Sequence, residues 1–218
     1  MAIPGRPALT EETLALGVRK LAALDPELRE IVERFGAPPM WDRPPGFATL
    51  VHIILEQQVS LASAQAALDR LLGAVDELTP GRFLEFDDDR LLAIGFSRQK
   101  ARYVRSLAQS IESGALDLDG LSELDDDDAY RALVALTGIG PWTASIYLLM
   151  ALRRPDVWPA GDLALVTALA RVKGLAVRPD GVQMEALGEL WRPWRSVAAR
   201  ILWHDYLSGD GSGTRLST

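Results

Sequence analysis

The stretch from Leu136 to Asp162, LTGIGPWTASIYLLMALRRPDVWPAGD, constrains the fold more than any other part of the chain. Gly138-Ile139-Gly140 permits backbone angles that other residues avoid, so the chain can reverse within about one turn. Pro141 stands where the first residue of a helix would be, and there its missing N–H costs nothing. Trp142 to Leu152 is helix-length and almost wholly apolar, which predicts a buried helix. Arg153 and Arg154 suit its carboxyl end, and Pro155 stops it. Upstream, Asp126 or Asp127 is expected to cap a helix from about Ala129 to Leu136. The local prediction is helix, glycine hairpin, helix. Amides at the hairpin and at the second helix's N-terminus would favour an anion such as a phosphate.

With 218 residues the chain can bury a sizeable core in one or two small domains. Its 48% hydrophobic and 24% charged residues read as an ordinary soluble globular protein. It has no cysteine, which excludes disulfides, thiolate nucleophiles, Cys-ligated zinc and iron–sulfur clusters together. The start MAIPGRPALTEET lacks a basic end followed by an apolar run, so no signal peptide is expected. No apolar run is long enough to span a bilayer. A cytoplasmic protein without a membrane partner follows as the expectation.

The net charge of −7 argues at first against nucleic acid, but its distribution is uneven. Residues 1–130 hold 13 basic and 23 acidic side chains, whereas residues 131–205 hold 9 basic and 6 acidic. Ser97–Ser106 carries Arg98, Lys100, Arg102 and Arg105 with no acid. The total is compatible with DNA binding through a basic face and does not predict it.

Residues 1–9 are expected to be loose. Thr10 can cap a first helix, with Glu11 and Glu12 in its opening turn. Asp25-Pro26 starts a second, ended by Gly36. The loop Ala37–Gly46 holds five prolines or glycines and reads as a connector. Helices are then expected over Phe47–Gln57, from Ser60 to Gly73, after Thr79-Pro80, after Asp87, from Ser97 to Ser113, and over Leu163–Lys173, Val182–Trp191 and Trp194–Leu207. The tail after Gly209 is rich in Gly and Ser and reads as a flexible tail over 209–218. No stretch alternates like a strand, so the fold class is all-α with about ten helices.

Four segments, in order, resemble the helix-hairpin-helix-GPD superfamily of DNA glycosylases. They are Phe47 to Ser60, Gly95-Phe96-Ser97-Arg98-Gln99-Lys100-Ala101, LTGIGPWTA with an aspartate 22 residues after Gly140, and Arg192-Pro193-Trp194-Arg195-Ser196. The last looks like the "kPWRs" segment of bacterial 3-methyladenine DNA glycosylase II and its relatives. The resemblance covers roughly residues 45–206. Members acting on oxidised bases often carry a lysine at the position of Trp142, where it forms a Schiff base and allows strand cleavage. Tryptophan cannot do that chemistry. Endonuclease III-type members carry a Cys-ligated cluster, which a chain without cysteine cannot hold. Both departures point to the monofunctional alkylation-repair branch, in a short form without the extra N-terminal β domain of larger bacterial relatives.

Each candidate residue has a plain structural reading beside the one the resemblance implies. Asp162, before Leu163-Ala164-Leu165, reads locally as a helix N-cap; the resemblance makes it the catalytic carboxylate. Gly138, Ile139 and Gly140 read as a tight turn; the resemblance has their backbone hold DNA phosphates, with a monovalent cation on carbonyls near Leu136 and Ile139. Thr143, Gln57, Gln58 and Arg195 join the DNA-binding set by the same resemblance, Gln58 as the side chain that fills the gap left by a flipped nucleotide. Trp142 and Trp194 read as core or, by resemblance, as walls of the base pocket, where an indole stacks well on a cationic methylated base. Ile146 stands where relatives have an aromatic, which implies a pocket more open on that side. His52, on an apolar helix face, reads as structural or as facing the pocket. The resemblance calls for no cofactor.

The expected architecture has two helical subdomains. One spans 47–154 and ends in the helix-hairpin-helix; the other combines 10–46 with 155–208; a DNA-binding cleft lies between them. The expected activity is hydrolysis of the N-glycosidic bond of alkylated bases (3-methyladenine and 7-methylguanine type) in double-stranded DNA by a monomer, as part of base excision repair. Two alternatives stay open: a glycosylase for oxidised, deaminated or mismatched bases on the same fold, and a non-catalytic helix-hairpin-helix DNA binder.

Overall fold

The computed structural model describes residues 8–209. The expected looseness of residues 1–7 and the expected tail beyond Gly209 lie outside the described residues. Among those described, twelve α-helices, one short 3-10 turn and one π-helical turn make up the fold, with no strand. No helix is long and apolar enough to cross a membrane.

The chain divides into two compact units, and the first is continuous from Arg43 to Leu152. It holds α3 (Phe47–Glu56), α4 (Leu61–Leu72), α5 (Pro80–Leu84), α6 (Asp88–Ile94), α7 (Arg98–Glu112), α8 (Asp126–Val134) and α9 (Pro141–Ile146). Its core gathers Leu50, Ile53, Ile54, Leu71, Phe83, Val104, Leu107 and Leu133. The second unit is discontinuous, made of the described residues up to Asp42 and those from Arg153 onward. It holds α1 (Glu11–Leu24), α2 (Pro26–Phe35), α10 (Leu163–Val172), α11 (Gly181–Glu189) and α12 (Arg195–Ser208). Here α12 is the central helix, packed by α1, α2 and α10. Nine consecutive residues of α12 from Ser196 include eight that are buried with Asp205 beyond them, so this helix is buried nearly all round, as a central helix is.

Most helix starts obey the capping chemistry of short polar side chains. Thr10 forms a capping box with Thr13. Asp25, Ser60, Thr79, Asp87 and Ser97 each accept an amide of the first turn. The cap of α8 is Asp125, one residue before the expected Asp126, and the helix ends at Val134 rather than Leu136. Leu9, expected to be loose, is buried, and its N–H donates to the Arg153 carbonyl at 2.7 Å.

The largest departure lies in the buried helix after the hairpin. It is α-helical only to Ile146 and continues as a π turn over Tyr147–Ala151. The loop before α3 is tied to this turn: the Gly46 N–H donates to the Tyr147 hydroxyl at 3.0 Å, and the Arg43 N–H to the Met150 carbonyl at 3.1 Å.

Candidate DNA-processing site

The hairpin in the first unit is over-determined. Gly138 has a φ of +91°, the left-handed region that favours glycine, and the Tyr103 ring of α7 occupies the space a Cβ would need. The Ile139 N–H closes the turn onto the Leu136 carbonyl at 3.1 Å. Gln57, directly after α3, donates its side-chain amide to the Gly138 carbonyl at 3.0 Å and to Thr143 Oγ1 at 2.9 Å. Lys100 donates to the Leu55 carbonyl at 2.7 Å, capping α3 from α7; burial holds its pKa below the ordinary lysine value. Four helices thus fix one turn. The Gly138 and Gly140 amides meet no acceptor among the described residues, and Gly140 is exposed at the start of α9. Two uncommitted amides beside a helix N-terminus are donors of the kind an anion takes.

This geometry sorts the expected contacts. Gly138 and Gly140 offer backbone to solvent, whereas the Ile139 side chain is core. Thr143 is buried and accepts from Gln57, so both side chains help to hold the hairpin. Gln58 is exposed, with a φ of +57° unusual for a side-chain-bearing residue, which leaves it projecting from the end of α3. Trp142 is half-buried at the second position of α9. Ile146 is only 3% exposed and packs in the core.

His52 lies beside Glu56, its Nε2 3.4 Å from Oε1, while Arg43 grips both oxygens of Glu56 at 2.7 and 3.0 Å. Burial pushes the His52 pKa down; Glu56 opposes this and Arg43 adds to it. The imidazole is part of an ion-pair network that anchors the loop before α3, which is the structural reading of His52.

In the second unit, Asp162 is the N-cap of α10. Its Oδ1 accepts the Leu165 N–H at 2.8 Å and the Trp203 indole N–H of α12 at 3.0 Å. The Asp162 N–H closes a turn onto the Pro159 carbonyl at 2.9 Å. The side chain is half-buried. A carboxylate held by two N–H groups at a helix N-terminus has a fixed direction, which is what stabilising a developing positive charge requires.

Two of the expected residues of this unit have partners within the fold. The Arg195 guanidinium is held by the buried carboxylate and backbone of Asp156, with a further bond to Glu189. Trp194 is half-buried and packs its six-membered ring on Gly17 of α1, where a Cβ would come within 2.9 Å of Cε3. Trp203 is the partner that sequence reading missed. It lies 41 residues from Asp162 and carries no local signal beyond its residue type. Among the described residues no group of His, Asp or Glu is arranged to hold a metal ion.

The chain matches the model of the HhH-GPD superfamily of base excision DNA repair proteins over residues 51–193. YfjP of Bacillus subtilis is 31% identical over 162 residues, covering 71% of this chain and 56% of its own. The DNA-3-methyladenine glycosylase of the same organism is 25% identical over 196 residues, 84% of this chain and 65% of its own. The chain therefore spans little more than half to about two thirds of the length of these relatives. Mag1, the 3-methyladenine DNA glycosylase of Schizosaccharomyces pombe, solved with abasic DNA, matches with a TM-score of 0.83 at 25% identity, over 89% of this chain and 98% of its own. The family model covers well over half of the chain, and the chain belongs to the HhH-GPD superfamily of base excision DNA repair proteins.

Proposed function

We propose that this protein is a monofunctional DNA glycosylase that hydrolyses the N-glycosidic bond of alkylated bases in double-stranded DNA. The observation that carries the reading is Asp162 Oδ1, aimed by the Leu165 amide and the Trp203 indole. As the bond to the base breaks, positive charge builds on the sugar, and a fixed carboxylate stabilises it. Water then captures the sugar, leaving a free base and an abasic site. N-alkylated bases of the 3-methyladenine and 7-methylguanine type suit this site because they leave readily and because a cationic ring stacks on the half-exposed Trp142 indole. The names of the Bacillus subtilis and Schizosaccharomyces pombe relatives support that lesion class.

The Gly138 and Gly140 amides would hold DNA phosphate, a contact that positions the duplex without reading its sequence. The Leu136 and Ile139 carbonyls would share a monovalent cation there; their oxygens are the hard donors that such an ion takes. Gln58 would fill the gap left by the flipped nucleotide. Backbone contacts of this kind need few basic side chains, which reconciles DNA binding with a net charge of −7.

The test is release of free base from methylated duplex DNA. Asp162→Asn keeps the cap geometry and is expected to lower release at least a thousandfold while thermal stability and duplex affinity stay close to wild type. Near-normal excision by Asp162→Asn would sink the assignment. Borohydride trapping on the same duplex is expected to give no covalent adduct, since Trp142 cannot form a Schiff base.

A further inference from the structure

The segment leading into Asp162 is fastened residue by residue to the start of α12. Asp156 is 4% exposed. Its Oδ1 accepts the Arg195 Nε–H at 3.0 Å and its backbone carbonyl accepts Arg195 Nη2–H at 2.7 Å. Arg192 reaches the other oxygen, Oδ2, at 2.8 Å. The next residue is held in the same way: the Val157 N–H donates to Ser196 Oγ at 2.9 Å, and the Ser196 hydroxyl donates back to the Val157 carbonyl at 3.1 Å. The Ser196 N–H donates to the Pro155 carbonyl at 3.1 Å. Trp158 is anchored through its indole N–H on the Met184 carbonyl at 2.9 Å, over Gly188, where a Cβ would come within 2.7 Å of the ring. Two short turns, Ala160 N–H to Trp158 O and Asp162 N–H to Pro159 O, take up the remaining slack.

Trp203 follows Arg195 by eight residues on the same helix, a rise of about 12 Å. So α12 holds the segment at both ends: its first turn grips Pro155–Val157, and its third grips the Asp162 carboxylate itself. We propose that Arg195 and Ser196 are positioning residues for Asp162 and make no functional contact with DNA phosphate. This rests on the glycosylase reading of Asp162. A carboxylate that works on developing charge must be placed finely, since an error of about 1 Å costs on the order of a hundredfold in rate. Arginine is the residue for this task because its planar fork meets a carboxylate and a carbonyl in one fixed geometry, which a lysine cannot reproduce.

The experiment compares Arg195→Gln, Arg195→Lys and Ser196→Ala with wild type. Three quantities are read: the single-turnover rate of 3-methyladenine release, the affinity for a duplex with an abasic-site analogue as a function of salt, and hydrogen exchange of the Val157 and Leu165 amides. Arg195→Gln and Ser196→Ala are expected to lose ten- to a hundredfold in rate with unchanged affinity and salt slope, and with faster exchange at both amides. Arg195→Lys is expected to recover only part of the rate. If Arg195 instead contacts a phosphate, the rate at saturating enzyme stays normal, affinity falls, the salt slope loses about one ion, and lysine restores both; that result overturns the proposal. Should Arg195→Gln not fold, Ser196→Ala and Arg195→Lys carry the same comparison. Should the wild type release no base, the glycosylase reading fails separately. The fastening is then judged on exchange alone: faster Leu165 exchange in a variant with a normal melting midpoint supports it, and unchanged exchange overturns it.

Discussion

Trp203 and the Leu165 amide converge on one oxygen of Asp162, and the two donors come from different helices. Trp203→Phe keeps an aromatic ring in place of the larger indole and deletes one donor. It is expected to slow base release about tenfold, roughly 1.4 kcal/mol, in single-turnover assays; an unchanged rate would show that the indole only packs. The two hairpin glycines separate just as cleanly. Gly138→Ala puts a methyl into the Tyr103 ring at a φ of +91°, so a loss of about 2 kcal/mol is expected in denaturant unfolding. Gly140 has open space around its Cβ direction and a φ of −87°, so Gly140→Ala should stay within about 0.5 kcal/mol of wild type. What the sequence made legible at this scale was local chemistry. The caps Thr10, Asp25, Ser60 and Ser97 speak to amides two or three residues on, so their pattern lies within a short window. The Arg195–Asp156 pair was not legible because the two residues are 39 apart, and no spacing rule connects them.

Helices of the first unit are locked by polar side chains at their ends. The His52–Glu56–Arg43 network fastens α3 to the preceding loop, and it responds to pH. Burial holds the His52 pKa below its ordinary value of about 6.5, so the unfolded chain binds the proton more readily than the folded one. Stability is then full above about pH 6.5 and declines as pH falls toward the folded value. The melting midpoint of wild type should drop between pH 7 and pH 5, and His52→Gln should remove part of that drop; identical pH profiles would exclude His52 as a source. The same network explains why the sequence left His52 ambiguous. Its apolar helix face was visible, whereas the arginine 9 residues upstream that shares its carboxylate was not. The π turn at Tyr147–Ala151 was equally invisible. Its apolar composition suits an α-helix as well, and only the hydroxyl and carbonyl partners in the Gly46 loop distinguish the two.

Over the whole molecule, the all-α class was readable from apolar spacing, and the second unit draws on two distant parts of the chain. Asp25 shows how such a unit is closed. It caps α2 and also accepts from Lys173 at 2.9 Å and from the Trp191 indole at 2.9 Å, partners 148 and 166 residues away. Burial pushes its carboxyl up, but the bonds from Lys173, Trp191 and the Leu28 amide outweigh it and hold the pKa below the ordinary aspartate value. Its stabilisation is therefore present above about pH 4 and is lost as pH falls through the folded value. Asp25→Asn should cost about 2 kcal/mol at pH 7 by denaturant unfolding, and the gap from wild type should close below pH 4. A gap independent of pH would mean that the charge is irrelevant.

The interruption of the second unit by Arg43–Leu152 also sets a timetable. During synthesis the described part of the first unit has all its residues once Leu152 has emerged, whereas α1 and α2 wait for α12, the last of the described helices. Asp162 is translated well before Trp203, so its carboxylate exists for some 40 residues of synthesis without the indole that aims it. The site carboxylate thus has the Leu165 amide within three residues of synthesis but gains its second donor only when Trp203 follows.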